Sequence, residues 1–220
     1  MHNIIKIDNA GDWLNNRTKG IGGSDAACIL GKNPYKSNLD LWREKTGRKI
    51  PEDVSDKSAV LYGKKAEELL RQLFMLDYPQ YVLTYSPYDI HCNKNYDFIR
   101  GTFDAELIEI SSKNKGIWEC KTAEIKQSTG WQKWHNKIPD NYFCQVLHYF
   151  AIDEDYKFCK LKAQLKHYEP ELEETILTTR HYHLKRDDYL EDIEYLINEE
   201  IKFNWYIKND KEPPLRLPEI

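Results

Sequence analysis

The chain has 220 residues, enough for one large domain or two small ones and for a sizeable hydrophobic core. Its hydrophobic content of 40% and charged content of 31% are typical of a soluble globular protein, and its net charge of −4 argues against a basic coat over the whole surface, although not against a local basic groove. No apolar run approaches the roughly 18 residues of a membrane span, and the first residues lack the pattern of a signal peptide, so we expect a cytoplasmic protein with no membrane partner.

The first third of the chain predicts helices with glycines at their boundaries. The second of them begins with a glycine turn and offers Ser24 or Asp25 as its N-cap, and the fourth carries leucines at helical spacing. These helices cover residues 12–20, 22–31, 37–47 and 58–76.

The middle of the chain predicts strands, because short runs rich in β-branched and aromatic residues alternate with turn residues there. These runs, a mostly antiparallel meander, cover residues 81–86, 88–92, 97–110 and 116–122. A helix over 140–152 precedes two more strands, at 156–165 and 173–184, and an amphipathic helix over 187–207 is expected to pack on the sheet. The order predicts an α/β or α+β fold in which helices flank a central mixed sheet, as a single domain over residues 1–220 with a C-terminal helix and tail in 186–220.

One acidic-x-lysine triplet stands out from the four in the sequence. Glu119 and Lys121 lie in the apolar run "GIWECKT", and alternation along a strand points both side chains to the same side. The other triplets occupy turns, the polar end of a strand or the terminal helix, where charges such as Glu200 are expected to face water.

A second carboxylate is predicted close to this pair. Asp104 lies in the preceding strand-like run, and pairing of the two runs through the turn at 111–116 brings it towards Glu119. Two carboxylates held close repel unless a proton or a divalent cation lies between them, and hard oxygen ligands favour Mg²⁺, with Mn²⁺ as the alternative. The backbone carbonyl of Cys120 could add a ligand, and the Lys121 ammonium could stabilise a hydroxide or the charge on a phosphate under attack.

The cysteines offer no alternative metal centre. They are odd in number, scattered and never in a CxxC pair, which predicts buried free thiols rather than disulfides, structural zinc or an iron–sulfur cluster. They are Cys28, Cys92, Cys120, Cys144 and Cys159.

The Asp…Glu-x-Lys arrangement resembles the catalytic core of the PD-(D/E)xK nuclease superfamily, with Phe103 in place of the proline that often precedes the aspartate. A longer ordered set within residues 12–150 is similar to the YqaJ-like viral recombinases, the phage lambda exonuclease family. The set consists of the segment 17–47, "RTKGIGGSDAACILGKNPYKSNLDLWREKTG", followed by "GKKAE", "GTFD", "WECK" and "NYFCQVLHY". The resemblance implies a restriction-endonuclease-like core.

This resemblance implies roles for individual residues. Asp104 and Glu119 would bind the metal, Glu67 would reach it from the helix directly or through water, Lys121 would be the catalytic lysine, and Gln145 would orient water or Lys121. Taken singly, Glu67 also fits a solvated helix residue, and Gln145 fits a surface amide.

A second group of residues is implied for the end of the DNA. Arg17, Ser24 and Thr102 would form the pocket for the terminal 5′-phosphate, and Trp13 would contact the DNA end. On local evidence Ser24 fits a plain N-cap, and Trp13 fits a core residue. Four lysines predict an edge along which DNA could lie, although a solvated hairpin turn explains them equally well: Lys113, Lys115, Lys126 and Lys133.

The resemblance implies a Mg²⁺-dependent 5′-to-3′ exonuclease that acts on double-stranded DNA ends and leaves 3′ single strands for phage-type recombination. It further implies a single-strand annealing protein as partner, a homotrimer, and a phage or prophage origin in a bacterial cytoplasm. Two alternatives stay open at this point: an endonuclease of restriction or repair type, and a non-catalytic DNA-binding protein with the same fold.

Overall fold

A five-stranded mixed sheet lies at the centre of the protein, as shown by a computed structural model that describes residues 2–217. The strand order is β2-β5-β6-β7-β8; β6 and β7 are parallel and the other neighbours are antiparallel. The strands are β2 (Tyr81–Thr84), β5 (Ala105–Glu109), β6 (Lys115–Glu124), β7 (Tyr156–Glu169) and β8 (Glu174–Lys185). The predicted mixed sheet is confirmed.

Seven α-helices within residues 2–217 surround the sheet. They are α1 (Ala10–Arg17), α2 (Gly23–Ile29), α3 (Asn38–Lys45), α4 (Ser58–Asp77), α5 (Ser128–Lys133), α6 (Asp140–Ile152) and α7 (Leu190–Lys208), with a 3₁₀ turn at Arg186–Tyr189. The crossover between the parallel strands β6 and β7 contains α5, which was not predicted, and α6, whose bounds match the prediction. In residues 2–217 no helix combines the length and apolar character needed to cross a membrane.

The central strand β6 is buried on both faces because a helix covers each one. On one face Trp118 and Cys120 pack against α4, in a cluster with Leu70 and Phe74. On the other face Ile117 belongs to the larger core formed with α6. A run without polar alternation is what a strand covered on both sides requires, and it leaves Glu119 in a dry environment.

A second, three-stranded sheet departs from the predicted meander. Its order is β1-β3-β4, with β1 (Asn3–Ile5), β3 (Ile90–Cys92) and β4 (Arg100–Gly101). The predicted strand 97–110 is therefore wrong as one element: it breaks at residues 102–104, so that β4 pairs with β3 while β5 enters the central sheet.

The C-terminal helix also differs from expectation, because α7 packs mainly on α6, α2 and α3 rather than on the sheet. Its buried face passes through Glu200, which is fully buried, while Trp205 is 48% exposed. His148 explains the burial of Glu200. Its Nδ1 lies 2.6 Å from Glu200 Oε1, and its Nε2 lies 3.0 Å from the carbonyl oxygen of Arg100. The expectation that Glu200 faces water is wrong, since a buried carboxylate with a cationic partner is stable away from solvent.

The cysteines and the start of α2 show two local features. All five cysteines are buried free thiols, as predicted. The N-cap of α2 is Gly22 rather than Ser24 or Asp25, and the Asp25 carboxylate accepts a hydrogen bond from the Gly22 amide at 3.0 Å.

Candidate active site

The β5–β6 hairpin places Asp104 beside Glu119. Ala105 pairs with Trp118, and the two acids are the next residues of the hairpin on the side away from the turn. Asp104 lies at a bend immediately before β5 rather than inside a strand. The Cys120 amide donates a hydrogen bond to Asp104 Oδ2 at 2.8 Å, which fixes the carboxylate across the hairpin.

Glu119 and Lys121 point to the same side of β6, as predicted. Lys121 Nζ lies 2.5 Å from Glu119 Oε1, and Gln145 Nε2 on α6 donates to the same oxygen at 2.9 Å. The other oxygen, Oε2, is buried and has no hydrogen-bond partner among the described residues. A buried carboxylate oxygen without a partner is costly unless a ligand completes it.

Burial and mutual repulsion disfavour negative charge on the three carboxyl groups of this cluster. Burial, together with the charge of Asp104, raises the pKa of Glu119 to about 8. Burial also raises the pKa of Asp104, and burial plus Asp104 raises the pKa of Glu67 to about 7. Burial opposes the charge on Lys121, but Glu119 and Asp104 outweigh it and raise the pKa of this lysine, which therefore remains an ammonium at neutral pH.

The donor set fits a hard divalent cation. Asp104, Glu119 and Glu67 supply carboxylate oxygens, and each has a pKa raised in the absence of a cation. A cation here would also give Glu119 Oε2 the partner that it lacks among the described residues. Cys120 lines a cavity of about 270 Å³ with Glu67, Asp104 and Lys121, and its carbonyl as a further ligand stays a prediction.

Arg71 is a site residue that the sequence analysis missed. From α4 it lies 3.1 Å from Glu67 Oε1 and donates to the carbonyl oxygen of Asp104 at 3.4 Å. Its guanidinium also stacks on Tyr85, 3.4 Å from the ring centroid. The only signal in the sequence was the i,i+4 spacing from Glu67, which solvated helix pairs share.

Tyr149 is a second residue that was missed as part of the site. Its hydroxyl accepts a hydrogen bond from Gln145 Nε2 at 2.6 Å and donates to the Thr102 carbonyl at 3.1 Å. Gln145 therefore holds Glu119 and Tyr149, with no hydrogen bond to Lys121. Gly23 on α2 lies against Tyr149 and Gln145: an added Cβ would meet Tyr149 Cε1 at 2.7 Å and Gln145 Cγ at 2.9 Å.

The residues expected at the DNA end lie on the other side of the same opening. Arg17 stacks over Trp13, 5.1 Å from its ring centroid, and its Nη2 donates to Ser24 Oγ at 3.3 Å. The Trp13 indole donates to Thr102 Oγ1 at 2.9 Å. Trp13 is half-buried here rather than part of the core, and both Arg17 and Ser24 are exposed.

One cavity of about 510 Å³ brings these groups together. Of the predicted site residues, its lining includes Trp13, Arg17, Ser24, Glu67, Thr102, Asp104, Glu119, Lys121 and Gln145. Predicted site residues from positions 13 to 145 thus line one cavity. The lysine edge stays a prediction: Lys113 lies in the turn before β6, Lys115 begins that strand, Lys126 lies beyond its end, about 33 Å away for a ten-residue strand, and Lys133 ends α5.

The fold is similar to that of a solved alkaline exonuclease. Two crystal structures of the enzyme LHK-Exo from Laribacter hongkongensis are similar to this chain, one of them in complex with dAMP. Their TM-scores are 0.62 and 0.60 at 14% sequence identity, and each match covers 91% of this chain and 94% of that structure. The predicted fold class is confirmed.

The chain belongs to the YqaJ-like viral recombinase domain family, whose profile matches residues 12–155. A relative within the family is the uncharacterized protein YqaJ of Bacillus subtilis (strain 168), which is 33% identical over 141 residues. That match covers 64% of this chain but 41% of the relative, so the chain aligns with about two-fifths of the relative's length. The resemblance stated from the sequence is confirmed.

Proposed function

We propose that the protein is a metal-dependent exonuclease that digests double-stranded DNA from 5′-phosphorylated ends in the 5′-to-3′ direction. The observation that carries this proposal is the cavity shared by the Asp104–Glu119–Lys121 cluster and the Arg17–Ser24 pair. The first group fits phosphodiester hydrolysis, and the second fits capture of a terminal phosphate.

In this proposal Asp104, Glu119, Glu67 and the Cys120 carbonyl hold Mg²⁺, or Mn²⁺ when it is supplied. When bound, such a cation supplies Lewis acidity towards a phosphate oxygen and lowers the pKa of water. Selection of Mg²⁺ rests on the all-oxygen donor set.

Lys121 contributes a fixed positive charge in this proposal. Its neighbours keep it protonated, so it stabilises negative charge rather than removing a proton. Its contact with Glu119 places the ammonium beside the acids, where charge on the phosphate would grow. Gln145 holds the Glu119 carboxylate from the opposite helix, so that Oε2 remains available.

The phosphate pocket would set the direction of digestion. The Arg17 guanidinium is already ordered by Trp13 and Ser24, so little side-chain freedom is lost when its fork pairs with a phosphate. Ser24 and Thr102 add hydroxyl groups at the same wall, and Trp13 offers a ring surface to the terminal base pair. An enzyme that holds a 5′-phosphate here would cut the strand that carries it.

The biological setting is part of the same proposal. Residues 1–220 would form one nuclease domain, and digestion would leave 3′ single strands for a single-strand annealing protein. A homotrimer and a phage- or prophage-encoded origin in a bacterial cytoplasm follow from the family resemblance alone.

The test compares three DNA substrates in Mg²⁺: a linear duplex with 5′-phosphates, the same duplex with 5′-hydroxyls, and a covalently closed circle. We expect the phosphorylated duplex to be digested fastest and to release nucleotides from its 5′ ends. The circle should not be cleaved. Cleavage of the circle would instead favour an endonuclease. Binding of duplex ends without hydrolysis in either Mg²⁺ or Mn²⁺ would favour a non-catalytic DNA-binding protein.

A further inference from the structure

A second cluster of metal-ligating side chains lies outside the acidic site. It joins His2, just before β1, His91 in β3 and Glu106 in β5. The potential ligand atoms of these three residues all lie within 4.8 Å of one another, and His2 Nε2 is 2.7 Å from His91 Nδ1. The cluster therefore joins the residue before β1 to strands β3 and β5, which belong to different sheets.

Further contacts orient two of these side chains. Asp153, at the end of α6, lies 2.7 Å from His2 Nδ1 and also accepts from the His2 amide at 2.9 Å. A proton on Nδ1 for this contact leaves the Nε2 lone pair directed at His91 and Glu106. Tyr156 donates its hydroxyl to Glu106 Oε1 at 2.5 Å. A carboxylate behind a ligating imidazole and a hydrogen bond to a ligating carboxylate are the outer contacts that metal sites use.

His91 is held by packing. Its ring stacks on Phe103 with the centroids 4.4 Å apart, which restricts the orientation of the imidazole beside His2. The 2.7 Å between the two imidazole nitrogens is the length of a hydrogen bond, so one ring donates a proton to the other beside the carboxylate. A cation bound by all three groups would replace that proton.

We propose that His2 Nε2, His91 Nδ1 and a carboxylate oxygen of Glu106 bind one Zn²⁺ ion, separately from the acidic cluster. Two imidazoles and one carboxylate suit zinc, whereas the acidic cluster offers oxygen only. Zn–N distances of about 2.0–2.1 Å in a tetrahedron put ligand atoms about 3.3 Å apart, so the two rings need to separate by only about 0.6 Å. An open fourth position would take water.

The site has a structural consequence for the candidate active site. Phe103, which stacks on His91, also contacts Tyr149 edge-on with the ring centroids 4.9 Å apart, and it lies between Thr102 and Asp104 in sequence. Zinc at the cluster would thus hold β1 and β3 against the segment that carries both residues. The zinc ion would have a structural role, and the acidic cluster would bind the divalent cation of the reaction.

The experiment uses the full, untagged protein after chelation and dialysis, titrated with ZnCl₂ by calorimetry in millimolar Mg²⁺. Mg²⁺ competes for the oxygen-only site and leaves the imidazole site to zinc. We expect about one equivalent of zinc to bind, and a thermal midpoint about 5 °C or more higher when free zinc is 100-fold above its dissociation constant. A wild-type protein that binds no zinc under these conditions would overturn the proposal.

Matched variants locate the ion. His2→Ala and Glu106→Gln should each weaken zinc binding at least about tenfold, whereas His135→Ala, which removes an exposed histidine, should bind as wild type. Glu119→Gln should also keep its zinc; if this variant loses it, zinc occupies the acidic site and the proposal fails. His2 precedes the first strand, so His2→Ala is expected to fold, which circular dichroism checks. If it does not, Glu106→Gln, whose amide oxygen can still accept the hydrogen bond from Tyr156, decides the matter.

Discussion

Lys121 Nζ and Glu119 Oε1 lie 2.5 Å apart, while the second oxygen of this buried glutamate has no hydrogen-bond partner in the part of the chain that the structure describes. Gln145 adds its amide to the same Oε1. The chain's own donors therefore collect on one side of the carboxylate, while Asp104 faces it across the hairpin. An arrangement this unfavourable without a ligand is understandable in a site that binds a cation, because buried groups with perturbed pKa values are concentrated at functional sites.

Replacing Lys121 with alanine should abolish most DNA cleavage while duplex binding stays within a few-fold of wild type. The reason is that a preorganised charge beside the scissile phosphate stabilises the transition state more than the ground state. We expect the single-turnover rate to fall by about 10²–10³-fold or more, measured on a 5′-phosphorylated duplex in saturating Mg²⁺. Lys202→Ala, in another acidic-x-lysine triplet but exposed on α7, is the matched control. A Lys121→Ala enzyme with an unchanged rate would remove the lysine from the mechanism.

The metal-free protein should lose stability as the pH rises from about 5 to 8. The pKa values of Glu119 and Glu67 are raised by burial and by Asp104, so the folded state retains protons that the unfolded chain releases above its ordinary carboxyl pKa. Folding then binds protons, and the free energy of unfolding falls with pH until the folded pKa values are passed. Glu119→Gln should flatten this dependence by at least about 1.4 kcal/mol, the equivalent of one pKa unit.

Urea unfolding in EDTA at a series of pH values measures this effect. Glu124→Gln, an exposed carboxylate on the same strand, serves as the control and should follow wild type. Mg²⁺ added at pH 8 should raise the stability of wild type more than that of Glu119→Gln, since the ion binds only the folded site. Parallel curves for Glu119→Gln and wild type would show that Glu119 does not carry a raised pKa.

Short-range patterns in the sequence predicted the hairpin that carries the acids. Asp104 and Glu119 are fifteen residues apart around one turn, and alternation on β6 separates Glu119 from Trp118, so local geometry was sufficient. The same reasoning located α6 to the residue. The sequence did not predict that the strand at 97–110 divides between the two sheets. The reason is that β4 has only two residues and pairs with β3, whose other partner is β1.

Contacts between residues distant in the chain were beyond the reach of the sequence. Glu200 looked like a solvated helix residue until His148, 52 residues away, supplied its buried partner. Arg71 looked like half of an ordinary helix pair, because its contact with the Asp104 backbone depends on how α4 crosses the hairpin. The resemblance to a family identified most of the candidate residues, and the structure added those that position them.

Arg17 should determine the preference for phosphorylated ends. Arg17→Lys keeps the positive charge but loses the planar fork and the stacking on Trp13, so we expect the ratio of rates on phosphorylated and unphosphorylated duplexes to fall by about tenfold. Arg48→Lys is a close control, because Arg48 also stacks on a tryptophan, Trp42, at 4.6 Å, outside the lining of the candidate active-site cavity. If Arg17→Lys lowers both rates equally, Arg17 assists catalysis or folding and does not recognise the phosphate.

Gly23→Ala should disturb the candidate active site, although Gly23 has no side chain and takes no part in the chemistry. The added Cβ would lie 2.7 Å from Tyr149 and 2.9 Å from Gln145, so one or both side chains must move, and Gln145 is the donor that orients Glu119. We expect a loss of about 1–3 kcal/mol in the free energy of unfolding, together with a fall in the cleavage rate. Gly11→Ala provides the comparison: it lies in α1, its added Cβ would come no closer than 3.5 Å to Asn9, and alanine favours the helix by about 0.8–1.0 kcal/mol. Chemical denaturation and single-turnover assays on both variants measure the two effects, and a Gly23→Ala enzyme as active as Gly11→Ala would show that the contact of α2 with Gln145 is unimportant for the reaction.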